Sequence, residues 1–129
     1  MKAHLLILPL FILSLFVVAC STPVAIDPTV SQEQTARYQA GFFYGPIQAD
    51  ALDAFNTAIR QIDKMGYFRT GELHNDSAVT IYARKVGDEK VYVRIEQVEA
   101  GLSEMRIRVG AMGNLAESQT IYAKIRNAL

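Results

Sequence analysis

The sequence predicts an α+β domain, a two-layer sandwich in which an antiparallel sheet of four to five strands carries two helices packed on one face. Three observations predict it: a helical apolar stripe over residues 50–65, four strand-like runs between residues 67 and 110, and a second helical pattern at the end of the chain. Short loops between the strand-like runs favour antiparallel neighbours. The apolar sides of the sheet and of the helices are then expected to cover one another.

The N-terminal segment, residues 1–19, has the layout of a secretory signal peptide. Lys2 precedes an apolar run over residues 5–19, which is shorter than the roughly 20 residues of a membrane-spanning helix. The run ends in Val17-Val18-Ala19-Cys20, which resembles the bacterial lipobox. The resemblance implies cleavage between Ala19 and Cys20, a diacylglycerol on the Cys20 sulfur, and acylation of the new amino group by a fatty acid such as palmitate. The alternative is an ordinary secretory signal with an unrelated cysteine at its boundary.

The lipobox resemblance also implies a location. Several acyl chains on Cys20 give stable anchoring, where a single chain gives marginal binding. Ser21 follows the cysteine, whereas an aspartate at this position retains lipoproteins in the inner membrane in enterobacteria-like sorting. We therefore expect a lipoprotein of the cell outer membrane that faces the periplasm, with the membrane as its partner through Cys20.

After the signal, the chain is predicted to divide into lipidated Cys20 with a flexible tether over residues 20–35, and a single domain over residues 36–129. The tether contains Pro23 and Pro28, no aromatic residue and no sustained hydrophobic period. The domain then begins with alternating apolar residues that predict one strand, ended by Gly45-Pro46, with its aromatic side chains in the core: Tyr38, Ala40, Phe42 and Tyr44.

The remaining elements follow from hydrophobic periodicity. Residues 50–65 form an amphipathic helix that Gly66 ends. Strands are expected over residues 67–74, 79–86, 90–99 and 103–110, and Asn114 suits the N-cap of a final helix. For the core, three residues of the first helix are predicted to face three of the sheet: Phe55, Ile59 and Ile62 against Val93, Ile95 and Ile107.

The polar side of the predicted sheet is the candidate binding face. Period-two alternation places its residues opposite the apolar ones, and it collects arginines and tyrosines: Arg84, Arg94, Arg106, Arg108, Tyr82 and Tyr92. Arginine binds carboxylates and phosphates through two parallel hydrogen bonds, so this face suits an envelope polymer or an envelope protein. The alternative, which alternation alone favours, is a solvated face whose arginines pair with neighbouring acids: Glu96, Glu104 and Glu72.

Composition argues against several classes of function. The 13 Lys and Arg residues balance 13 Asp and Glu residues, so nothing suggests nucleic acid as a partner. Cys20 is the only cysteine, and His74 is the only histidine after the signal, which leaves no ligand set for a zinc site. We therefore predict neither a metal nor a cofactor.

The chain is also predicted not to be an enzyme. His74, Asp76 and Ser77 follow one another too closely along a turn for nucleophile–base geometry, and no Gly-x-Ser-x-Gly elbow supports them. These residue types are instead typical of a hairpin turn. The loop over residues 110–113 is glycine-rich, but it lacks the pattern of a phosphate-binding turn.

Residues 36–129 resemble a family of small bacterial lipoproteins that is catalogued as a domain of unknown function. The resemblance rests on Lys64-Met65-Gly66, on the segment from Met105 to Asn114 with its Ile-Arg-Val-Gly strand end, and on the closing helix from Ser118 to Arg126. Met112 and Asn114 stand where the family usually has an aromatic residue and an aspartate. The resemblance implies the fold and the location, and it supplies no catalytic residues.

These observations predict a non-enzymatic, lipid-anchored envelope protein with an accessory or interaction role in the periplasm. The alternative function is a small-ligand or lipid-binding module that uses a gap between the first helix and the sheet. An apolar pocket of several hundred Å³ in that gap would favour this alternative.

Overall fold

The computed structural model describes residues 20–24, 26 and 35–129. The predicted signal peptide, residues 1–19, and most of the predicted tether lie outside these described residues. In the part that is described, no helix is long and apolar enough to cross a bilayer.

Seven strands and two helices make up the described part of the chain. They are β1 (Thr22–Val24), β2 (Ala36–Gln39), β3 (Phe42–Ile47), α1 (Ala51–Lys64), β4 (Phe68–His74), β5 (Ala78–Arg84), β6 (Lys90–Glu99), β7 (Leu102–Val109) and α2 (Leu115–Asn127). The strands form one antiparallel sheet in the order β1-β2-β3-β7-β6-β5-β4. The predicted α+β class is confirmed, but the predicted sheet of four to five strands is wrong.

A hairpin accounts for the first part of this correction. The single strand predicted around residues 38–44 is instead two strands, β2 and β3, joined by a turn of two residues. Both turn residues have positive φ, 51° at Ala40 and 81° at Gly41, which matches the type I′ turn that right-handed strand twist prefers. Ala40 is an unusual residue for this conformation, which is why the turn has no strong signal in the sequence.

The remaining difference lies at the two ends of that hairpin. Thr22–Val24 forms strand β1 against β2, within the segment predicted as a tether. The strand was predicted to end at Gly45-Pro46, but β3 continues through these two residues to Ile47. Proline is tolerated there because β2 pairs only with residues 42–44, so Pro46 has a neighbour on one side alone, in β7.

One hydrophobic core lies between the inner face of the sheet and the two helices. The alternating apolar residues of β5, β6 and β7 are buried in it, as predicted: Val79, Ile81, Ala83, Val91, Val93, Ile95, Met105, Ile107 and Val109. Helix α1 contributes Phe55 and Ile62, together with small residues such as Ala54 and Ala58 that allow close approach. Ile59, predicted as core, is only partly buried because it flanks this stripe.

Candidate functional site

The outer face is the side of the sheet opposite the helices, and the structure places all six predicted face residues on it. Register aligns Tyr82 with Tyr92 and Tyr92 with Arg108 in one row across β5, β6 and β7. Arg94 and Arg106 lie opposite each other in the next row. Arg84 is paired with Lys90 at the ends of β5 and β6. Tyr82 is exposed, and the other five side chains are half-buried.

Aromatic side chains form a continuous band on the outer face. The ring centroids of Tyr82 and Tyr92 are 5.9 Å apart, and those of Tyr92 and Phe42 are 5.8 Å apart, both in edge-to-face geometry. Tyr44 extends the band, with its centroid 6.5 Å from that of Phe42. These are the separations and angles at which aromatic pairs attract each other.

Two arginines stack on this aromatic band. The guanidinium carbon of Arg106 lies 3.9 Å from the Phe42 centroid and 5.4 Å from the Tyr44 centroid, and that of Arg108 lies 4.8 Å from the Phe42 centroid. Cation–π contacts of this kind hold a guanidinium in place without neutralising it. Arg106 Nε is buried without a hydrogen-bond partner. Arg108 donates to the carbonyl oxygens of Gly110 and Ala111.

Other arginines of the outer face have acidic partners. Arg84 pairs with Asp88, Arg94 with Glu96 at 3.8 Å, and Arg37 with Glu104 at 3.4 Å. Among residues 35–129, no salt bridge involves Arg106 or Arg108. Arg94 is paired with Glu96, as expected for a solvated face. Arg106 and Arg108 do not follow that expectation.

A groove of about 860 Å³ runs over the half of the outer face that contains the aromatic band, and we call it the outer-face groove. Three aromatic residues line it: Phe42, Tyr82 and Tyr92. Its charged lining residues are three basic and two acidic ones: Arg84, Lys90, Arg108, Asp88 and Glu89. The ligand site considered from the sequence was a gap between the first helix and the sheet. The outer-face groove lies on the opposite side of the sheet from that gap, which the buried core occupies.

Beside the groove, a polar cluster joins the loop after β5 to α2 and to Tyr67 in the loop between α1 and β4. Glu117 Oε1 accepts hydrogen bonds from Lys85 Nζ at 2.5 Å and from the Tyr67 hydroxyl at 2.9 Å. Burial opposes ionisation of Glu117, but Lys85 and Tyr67 still hold its pKa below the ordinary value. Burial and the Glu117 carboxylate raise the pKa of Tyr67 to about 12. Glu117 and, more weakly, Glu89 raise the pKa of Lys85.

Three residues of the outer face were missed from the sequence: Phe42, Tyr44 and Arg37. Phe42 and Tyr44 were predicted to share the core side with Tyr38. The two-residue turn instead pairs Tyr38 with Phe43 and Gln39 with Phe42, so Phe43 enters the core and Phe42 faces outward. Gly41 between two aromatic runs was the available signal, because a glycine in such a position often marks a turn.

Elsewhere the candidate residues are dispersed. Cys20 is exposed with a free thiol, and Ala19 lies outside the described residues. The ring centroids of His74 and Phe55 are 5.2 Å apart, and His74 Nε2 lies 3.5 Å from Glu72 Oε1. Within residues 20–24, 26 and 35–129 there is no group of three or more His, Cys, Asp or Glu side chains that can hold a metal ion.

Comparison with known proteins gives a match to one family. The sequence model of a family described as "Protein of unknown function (DUF3568)" matches residues 4–128. A search of curated protein sequences finds no match to the chain.

Proposed function

The chain belongs to the family of proteins of unknown function DUF3568, and on that premise we propose that it is a non-enzymatic lipoprotein that binds an anionic envelope polymer through the outer face of its sheet. In this proposal Cys20 carries the lipid. The domain faces the periplasm from the outer membrane, and its role there is accessory rather than catalytic.

The observation that carries the proposal is the pair of stacked arginines. Arg106 and Arg108 are held against Phe42, and no carboxylate pairs with either of them in the described part of the chain. A guanidinium with a fixed plane loses little freedom when it donates hydrogen bonds to a carboxylate or phosphate, because its N–H groups are already oriented. The outer face therefore offers fixed positive charge for an anionic partner.

The aromatic band supports a polymer as that partner. Phe42, Tyr92 and Tyr82 belong to β3, β6 and β5, and their ring centroids follow one another at 5.8 and 5.9 Å. Aromatic rings offer apolar surface together with polar edges and hydroxyls. A chain of sugar rings that carry carboxylates or phosphates has matching surfaces at this spacing.

Lipid anchoring is supported by the position and chemistry of Cys20. It is the only cysteine in the chain, it follows an apolar run with a lipobox-like end, and its thiol is exposed just before β1. An anchored protein meets the envelope polymers at high local concentration, so modest intrinsic affinity is sufficient.

The test uses the purified lipidated protein in detergent and two soluble polysaccharides of equal length, one neutral and one bearing carboxylates. Titration calorimetry at low and at high salt is expected to show binding of the anionic polymer alone, weakened by salt. Equal binding of both polymers, or of neither, would contradict the proposal.

A second candidate function is the binding of a small ligand, and the size of the outer-face groove favours it. Its volume of about 860 Å³ falls in the range of small-molecule sites, about 300–1,000 Å³. Native mass spectrometry of the protein released gently from membranes separates the two candidates. A bound small molecule of defined mass supports this function, and its release by an anionic polymer would show that both use the same groove.

A further inference from the structure

Strand β1 fixes the position of Cys20 relative to the sheet. Thr22 lies opposite Tyr38 in an antiparallel pair, so the chain before Thr22 runs towards the Ala40–Gly41 turn. Val24, at the other end of β1, is buried in the core and holds the strand in place. Two residues of extended chain span at most about 7 Å, so Cys20 lies close to this end of the sheet. We call it the anchor end.

Two further loops lie at the anchor end. The loop over residues 85–89 joins the ends of β5 and β6, and the loop over residues 110–113 follows β7. The second loop is packed against the Ala40–Gly41 turn, because a Cβ at Gly41 would lie 2.9 Å from the Met112 carbonyl oxygen. The first loop reaches the second through Glu89, whose side chain lies against Gly110. The three loops therefore form one continuous surface beside Cys20.

The most exposed large apolar side chains of the described residues are all at this end. Val86 is 95% exposed and Met112 is 89% exposed, each at the tip of its loop, and Phe68, at the start of β4, is 73% exposed. Single exposed apolar residues are common on soluble proteins. Here the three highest values coincide with the end of the sheet that carries the lipid attachment residue.

Several charges at the anchor end are already paired. Asp88 pairs with Arg84 at the end of β5, whereas Lys90 and Arg108 have no acidic partner among the described residues. Lys85 is itself paired with Glu117 and Glu89. On a bilayer without net charge, a contact through this surface would depend on apolar insertion and on the lipid anchor.

We infer that the anchor end lies on the bilayer surface, with Val86 and Met112 inserted at the boundary between headgroups and acyl chains. The partner is the lipid surface itself, and the inference rests on the proposed lipidation of Cys20. Seated in this way, the sheet stands with its anchor end on the membrane, and the outer-face groove opens sideways at its base.

The experiment uses the full lipidated protein reconstituted into vesicles of phosphatidylcholine, a lipid without net charge. Three variants each place one cysteine for an environment-sensitive fluorophore: Val86→Cys, Met112→Cys and Val98→Cys. Val98 is the matched control, because it is an exposed valine at the opposite end of the sheet, near the end of β6. Since Cys20 is the only natural cysteine and its sulfur carries the diacylglycerol, the introduced cysteine is the only free thiol.

The fluorophore at positions 86 and 112 is expected to shift its emission to the blue and to be quenched by lipids with a nitroxide near the headgroup. The fluorophore at position 98 is expected to show neither effect, and high salt is expected to change nothing. Equal quenching at all three positions, or quenching that salt abolishes, would overturn the inference while leaving anchoring intact. Mass spectrometry of the same sample reports the fatty acids on Cys20, and their absence would overturn the proposed anchoring and this inference with it.

Discussion

Arg106 stacks on Phe42, with its guanidinium carbon 3.9 Å from the ring centroid, across the pairing of β7 with β3. Tyr44, rather than Phe42, is the residue directly opposite Arg106, so the contact is a diagonal one between neighbouring strands. Diagonal neighbours are within reach when one member is aromatic or long. This contact joins residues far apart in the sequence, and it gives the outer face its fixed positive charge.

The first prediction concerns that charge. Arg106→Glu with Arg108→Glu is expected to abolish binding of the anionic polymer, because both stacked cations become negative. The cation–π contacts that are lost are worth about 0.5–2 kcal/mol each, so the domain should remain folded. Calorimetric titration and a thermal melt measure the two effects separately.

The matched control reverses two exposed charges on the helices, Arg60→Glu with Lys124→Glu. The same change in net charge on the far side of the molecule should leave polymer binding almost unaltered, since exposed charges are screened over about 10 Å at ordinary salt. If both double variants lose binding equally, net charge rather than the outer face is responsible.

A second prediction concerns the anchor. Cys20→Ser removes the sulfur that would carry the diacylglycerol, so the variant should incorporate no labelled fatty acid and should leave the membrane fraction. Fractionation with labelled palmitate measures both effects. Ser21→Ala, one residue later, is the control and should be labelled normally. Continued labelling of the Cys20→Ser protein would show that the lipobox interpretation is wrong.

The third prediction compares two isoleucines of α1. Ile62 is fully buried, whereas Ile59 flanks the buried stripe of α1 and is only partly buried. Ile62→Ala should cost about 2–5 kcal/mol of unfolding free energy, as buried isoleucines usually do. Ile59→Ala should cost distinctly less, because its side chain already contacts solvent. Urea denaturation of both variants gives the comparison, and equal losses would contradict this position for α1.

The strands and helices that follow their own periodicity were predicted well. Strands β6 and β7 alternate because one side of each is buried over most of its length. Asn114 caps α2 as expected, with its side chain accepting the Glu117 N–H at 3.0 Å. The start of α1 was predicted at residue 50, but the Asp50 side chain does not cap the helix and instead accepts hydrogen bonds from Gln97 and from the Gly101 N–H. There the Ala51 N–H donates to the Gln97 side chain at 2.6 Å, a contact that depends on the tertiary fold.

The candidate site was predicted only in part, because one of its residues depends on a turn that the sequence pattern did not indicate. Alternation placed Arg106 and Tyr92 on the outer face, because β6 and β7 are long and regular. The aromatic residue on which Arg106 stacks was assigned to the wrong side of the sheet, since a two-residue turn reverses which positions face outward. A single turn at Ala40–Gly41 therefore determines whether Phe42 belongs to the core or to the site.

The fourth prediction concerns Gly45 in β3. A Cβ at this position would lie 2.6 Å from Cε2 of Tyr122, whose ring is buried and whose hydroxyl donates to the Pro46 carbonyl at 2.5 Å. Gly45→Ala should therefore destabilise the domain by about 1–3 kcal/mol through overpacking. Gly71→Ala in β4 is the control, because a Cβ there meets nothing within 4 Å. Thermal melts that show the same change for both variants would contradict the packing of Tyr122 on β3.

The last prediction concerns stability at high pH and rests on Tyr67. Its pKa rises from 10.0 to about 12 in the folded protein, because burial and the Glu117 carboxylate both disfavour the phenolate. Between these two values the folded state keeps a proton that the unfolded state has lost. Stability contributed by Tyr67 is therefore fully present below pH 10 and is lost as the pH rises towards 12.

Tyr67→Phe removes this group, so the variant should lose stability less steeply than the natural protein over the same range. It should also be less stable at neutral pH by roughly 1 kcal/mol or more, because the hydrogen bond to Glu117 is lost. In both proteins stability still falls with rising pH because of Lys85. Folding raises the pKa of its amine, so its contribution to stability is also lost at high pH. Urea midpoints measured from about pH 9 to about pH 12 give the slopes. Tyr82→Phe, on the exposed outer face, is the matched control, and a Tyr67→Phe slope that parallels that of the natural protein would show that the Tyr67–Glu117 contact does not set the alkaline limit of the fold.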